Sequence, residues 1–262
     1  MFGFPPKLPI NDEERQWVDE SFKRLEKMLG RRRMLEAQVI LPTAEHFPDP
    51  YDNSPEAAET LLDRVCTYMR VDRSGIELEI FRDETEELRK ILPSWHGKSG
   101  KCAAGMYVHD PNNDGSHDQQ RPVVAIRSTL LKDPLALVAT VAHELGHVIL
   151  LGRGLMDRKM PDHEPMTDLL TVFLGLGVFT ANSAGRFKQF QDDRSHGWSM
   201  QRMGYLPEEV FGYAPARFTV ERGEDKPEWL RHLSTNVRAY FKRSRAWLAR
   251  NTPQIVNPTL LN

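Results

Sequence analysis

Two histidines four residues apart, with a glutamate directly after the first, stand at His143-Glu144-Leu145-Gly146-His147. They follow an apolar run from Leu135 to Ala142 that has the length and composition of a helix. On a helix, residues four apart share a face. Both imidazoles can then reach one zinc ion, with Glu144 beside them to carry protons. A catalytic zinc wants three protein ligands and one open position for water. His143 and His147 supply two, so the third must come from elsewhere in the chain.

Downstream stands Glu164-Pro165-Met166-Thr167-Asp168. Glu164 and Asp168 are four apart near the start of a second apolar segment, so they too share a face. Glu164 could ligate the metal. Asp168 could accept a hydrogen bond from the far nitrogen of a ligating histidine, which fixes the tautomer and makes the imidazole a better donor. Asp157, Asp162 and His163 compete with Glu164 for the third position. His163 adjoins Glu164, so both cannot easily face one ion.

H-E-x-x-H followed by E-x-x-x-D on a second helix resembles the gluzincin class of zinc metallopeptidases, of which thermolysin is a member. The match covers about Leu135 to Thr180, with the strand Val123 to Ile126 before it. The resemblance implies that His143, His147 and Glu164 bind Zn2+, that Glu144 is the general base, and that Asp168 orients a histidine. It implies hydrolysis of peptide bonds in a peptide or protein substrate. It also implies that the preceding strand lies along the cleft and pairs with an extended substrate backbone. The metzincin pattern fails on residues, because Leu150 replaces its glycine and Arg153 its third histidine.

The elements that must position these side chains are legible in part. Asp133-Pro134 starts the key helix as cap and first residue, and Gly152 ends it. A second apolar helix is expected from Asp162 to about Thr180, with Gly175 and Gly177 marking close packing inside it. Asn11 to Leu29 reads as a first helix, with Asn11 and Glu14 forming a capping box and Gly30 as stop. Arg31-Arg32-Arg33 then reads as a solvated turn. Gln38 to Leu41 reads as a short strand and Phe47 to Pro55 as a loop. Ser54-Pro55 opens another helix, with Ala58, Leu61, Leu62, Val65 and Met69 on its apolar face. Ile76 to Ile80, Ala103 to Val108 and Pro122 to Arg127 read as strands, with a polar hairpin tip at Asp110 to Gln120. Pro207 begins a further helix that Pro215 should kink or end. Pro227 to Arg250 reads as a last amphipathic helix.

Together these predict an α+β fold: a zincin-like core of small sheet, active-site helix and second ligand helix, with extra helices at both ends. The expected parts are an N-terminal α/β part over 1–100, the metal-binding core over 101–205 and a helical part over 206–262.

With 262 residues the chain can bury a sizeable core. Its net charge of −2 gives no global field toward nucleic acid or an anionic membrane. Two cysteines, Cys66 and Cys102, cannot staple a fold of this size. The N-terminus has no apolar core of signal-peptide length, and no stretch reaches the roughly 18 apolar residues that span a bilayer. The expected protein is soluble and cytoplasmic. Neither G-x-S-x-G nor a complete phosphate loop is present. His196, Arg202, Tyr205 and Tyr213 follow the metal helices, where a donor to a developing oxyanion could arise. Two readings of another class stay open. One is a zinc-binding protein without catalysis. The other is a nucleic-acid- or protein-binding module built on the final helix, which carries Tyr240, Phe241 and Trp247 among basic residues.

Overall fold

Asp133 caps the histidine helix by accepting from Ala136 N at 3.1 Å, and Pro134 stands at its first position, where no N–H is needed. A computed structural model describes residues 7–82, 105–108, 122–187 and 206–251. In chain order its elements are α1 (Asp12–Leu29), α2 (Arg31–Leu35), α3 (Pro55–Met69), β1 (Glu77–Phe81), β2 (Gly105–Val108) and β3 (Val123–Arg127). They continue with α4 (Pro134–Leu150), α5 (His163–Phe173), α6 (Gly177–Phe187), α7 (Glu208–Glu221) and α8 (Thr235–Asn251). Short 3-10 turns lie at Arg73–Gly75, Ser128–Lys132 and Glu228–His232.

The architecture is α+β and mostly helical. The three strands pair in the order β1-β3-β2, with β1 parallel and β2 antiparallel to β3. β3 is buried along its centre at Val124, Ala125 and Ile126. α4 is apolar except at Thr140, His143, Glu144 and His147, and it is buried from Ala136 to His147, as suits a helix covered on every side. It packs against α3, α5, α6 and the sheet. Buried apolar side chains from Ile10 to Leu248 join in one cluster. No helix among the described residues is long and apolar enough to cross a membrane.

The N-terminal punctuation behaves as its chemistry demands. Asn11 accepts from Glu14 N at 2.9 Å while Glu14 accepts from Asn11 N at 2.7 Å. Gly30 ends α1 at φ +86°, and Ser54 caps α3 by accepting from Ala57 N at 3.1 Å. Cys66 lies on the inner face of α3, and burial pushes its thiol up to about 12. Since the thiolate is the nucleophile, native protein at pH 8 is expected to leave Cys66 unlabelled by iodoacetamide. Denaturant should restore full labelling, read by peptide mass spectrometry; rapid native labelling would contradict the burial.

Several expectations are corrected. The apolar helix proposed over 162–180 is two helices, α5 and α6, broken at Gly175. That glycine takes φ +88°, and a Cβ on it would sit 2.1 Å from the Gln38 carbonyl oxygen. Its carbonyl accepts from Ile40 N at 2.9 Å. This single bond is what remains of the strand expected at Gln38 to Leu41, which is not one. Arg31 to Arg33 is not a solvated turn but the start of α2. Arg31 reaches Glu221 at 2.9 Å and Arg33 donates to the Met69 carbonyl, leaving Arg32 in water. Pro215 neither ends nor interrupts α7, which continues to Glu221. The final helix begins at Thr235 rather than Pro227, because residues 228–232 form a 3-10 turn. The hairpin tip at 110–120 lies outside the described residues.

Candidate metal centre

The site is made where α4 and α5 touch. At Gly146 a Cβ would lie 2.6 Å from Thr167 Cγ2, so only glycine lets the helices approach this closely. Glycine costs a helix interior about 1 kcal/mol against alanine. At this position it sets opposite each other the two faces that carry the chemistry. The N-terminal end of α5 is tied down from outside, where Asp162 accepts from Arg24 at 2.7 Å and from Trp17 Nε1 at 3.4 Å.

Across this contact His143 Nε2 and Glu164 Oε2 lie 2.9 Å apart, and His147 Nε2 lies 3.3 Å from the same oxygen. The two imidazoles stand nearly perpendicular with ring centres 4.8 Å apart. One ligand atom from each of the three residues falls within 4.8 Å of the others.

The opposite ring nitrogens are held by oxygen atoms. His143 Nδ1 is 2.8 Å from Asp168 Oδ1. His147 Nδ1 is 3.2 Å from Thr167 Oγ1, whose own hydrogen goes to the His163 carbonyl at 2.8 Å. Thr167 therefore accepts, and His147 donates through Nδ1. With Nδ1 held by Asp168 or Thr167, each ring turns Nε2 inward, where it donates to Glu164 when protonated and would offer its lone pair to an ion. Asp168 uses its second oxygen as well, accepting from Leu206 N at 2.8 Å. One buried carboxylate thus fixes His143 and the chain that enters α7.

His143, Glu144, His147 and Asp168 are each 3–6 % exposed, while the Glu164 side chain is 33 % exposed. The site therefore meets solvent on the Glu164 side. Burial acts to raise the Glu164 carboxyl, but hydrogen bonds and charge from His143 and His147 outweigh it and hold it well below its ordinary value. Burial acts to lower His143, and Asp168 and Glu164 overcome it, so its pKa is raised. Burial dominates at His147, which is lowered. Two imidazoles and a carboxylate with fixed inward donors suit a divalent cation such as zinc.

The competing third ligands are placed differently. Asp162 is turned to α1, and Asp157 accepts from Lys159 N at 2.8 Å in a surface turn. His163 stands beside the site, its ring 6.0 Å from that of His147 and its Nδ1 3.5 Å from Glu164 Oε1, outside the converging trio. Tyr213 is buried and donates to Asp19 at 2.9 Å, so it is spent on α1. His196, Arg202 and Tyr205 lie outside the described residues. β3 cannot pair with an extended substrate as expected, because β1 and β2 occupy both its edges.

The aromatic residues of α8 turn toward the protein. Phe241 is buried, Tyr240 donates to Glu209 at 3.1 Å, and Trp247 is half-buried under the Arg15 guanidinium at 5.7 Å.

Gly146 and Thr167 were missed as site residues. A glycine inside an apolar helix was the available signal for the first; a lone threonine gave none. Gly146→Ala is expected to cost roughly 1–3 kcal/mol and to weaken zinc binding. Thr167 cannot rotate its methyl away without losing its bonds to His147 and the His163 carbonyl. Chemical denaturation and a competitive zinc titration check both effects; a variant with unchanged affinity would show that the close approach is not what sets the site.

No protein-family model, curated protein or solved structure matches the chain. The functional reading therefore rests on the site.

Proposed function

We propose that the protein is a zinc-dependent metallopeptidase with a zincin-like core, acting on a peptide or protein substrate. The observation that carries this is the arrangement of inward Nε2 atoms on His143 and His147 around the Glu164 carboxylate, each imidazole steadied from behind by Asp168 or Thr167. His143, His147 and Glu164 would hold the ion. When bound, zinc lowers the pKa of a water toward about 7 and polarises a carbonyl. Glu144 lies beside the ligand pair on the same helix and is buried. Its carboxylate would take a proton from water and return it to the departing amide nitrogen. A site that only held zinc for structure would not call for that glutamate, and would more commonly close with four ligands including cysteine.

The test is digestion of a diverse peptide library by zinc-loaded protein, read by mass spectrometry. The expected result is cleavage that 1,10-phenanthroline stops and added zinc restores. Stoichiometric zinc with no cleavage of any peptide would overturn the peptidase reading and leave a zinc-binding protein.

A further inference from the structure

Away from the metal centre a polar cavity of about 330 Å³ opens between α2, the C-terminus of α3 and the segment after α5. Its charged lining residues are Arg33, Arg70 and Glu36, with Gln38, Thr67 and Tyr68 between them. Glu36 is bonded to Arg32 at 2.5 Å. Among the described residues Arg33 makes one hydrogen bond, from Nη2 to the Met69 carbonyl, and its Nε, shut off from solvent, has no acceptor. The Arg33 side chain is half-buried, and polar groups removed from solvent are ordinarily paired.

Two further features are costly without a ligand. Burial, and then the like charges of Arg153 and Arg70, hold the Arg33 guanidinium below its ordinary value. Arg70 takes φ +52° at the end of α3, a left-handed conformation that costs a side-chain-bearing residue roughly 1–2 kcal/mol and that glycine usually fills. The fold thus places an arginine on this cavity where the backbone favours another residue.

We propose that this cavity binds the phosphoryl group of a small phosphorylated molecule, with Arg33 and Arg70 as its cationic ligands. Guanidinium forks match phosphate oxygens in geometry as well as charge. A tetrahedral dianion answers the accumulated positive charge better than a carboxylate does. The cavity volume lies within the range of small-molecule sites, about 300–1,000 Å³, leaving room for more than the phosphoryl group.

The test is calorimetric titration of the zinc-loaded protein with inorganic phosphate and, separately, with phenyl phosphate, ionic strength being matched with sodium chloride. The expected result is saturable binding of phenyl phosphate, weakened at least tenfold by Arg70→Gln and also by Arg33→Lys, which keeps the charge but loses the fork. Binding of inorganic phosphate with similar affinity would identify the free ion as sufficient. Tighter binding of the ester would show that the rest of the cavity contributes. Absence of saturable binding for both probes, or binding that Arg70→Gln leaves unchanged, overturns the proposal. Arg70 is exposed, so its variant tests the site without disturbing the core.

Discussion

Glu144→Gln is expected to keep one zinc per chain and to reduce peptide hydrolysis by about 10²–10⁴-fold, the usual contribution of a positioned general base. Glutamine matches glutamate in size and can occupy the same buried space on α4, so the helix and both histidines should stay in place. It cannot accept a proton at neutral pH. The loss should therefore fall on kcat, with KM little changed, because the interaction removed is one made as bonds break. Progress curves on any peptide found in the library digestion, together with elemental analysis of the same preparation, separate chemistry from metal loss. Full activity in a zinc-replete Glu144→Gln variant would remove glutamate from the mechanism.

Asp168→Asn should produce the second large effect, and by a different route. The carboxylate offers two acceptor oxygens, one to His143 Nδ1 and one to Leu206 N. An asparagine side chain has one acceptor and one donor group, so one of those two N–H groups must face an NH₂ in a buried setting. An unpaired buried donor costs roughly 1–3 kcal/mol, and loss of a carboxylate behind a ligating histidine typically lowers metal affinity 10–100-fold. We expect both, measured by denaturant titration of the metal-free protein and by competition with a zinc chelator. Unchanged values in both measurements would mean that Asp168 neither orients His143 nor anchors the entry to α7.

The local chemistry of the site was legible because it is written at helical spacing. His143 and His147, and separately Glu164 and Asp168, each share a face by repeat alone, and Asp133-Pro134 announces the helix beneath the first pair. What could not be read was tertiary. Gly146 carries its meaning only once Thr167 lies 2.6 Å from the Cβ it lacks. Gly175 was read as a close contact, which it makes, but its positive φ breaks the helix that apolar periodicity had carried through it. Pro215 is expected to kink or end α7, yet the helix does not end there and continues amid buried neighbours to Glu221. The strand order β1-β3-β2 depends on pairing between distant segments. It puts β3 at the centre, so the substrate pairing that the resemblance implied finds no free edge there; adjacency in sequence does not specify which strand lies outermost.

The most direct measurement is zinc K-edge X-ray absorption of the purified protein. Zinc held by His143, His147 and Glu164 should give a first shell of nitrogen and oxygen scatterers at about 2.0–2.2 Å, with an imidazole signature for two histidines that falls to one in His147→Ala. Sulfur scattering at about 2.3 Å, or an imidazole count unaffected by His147→Ala, would place the metal elsewhere and contradict that ligand set.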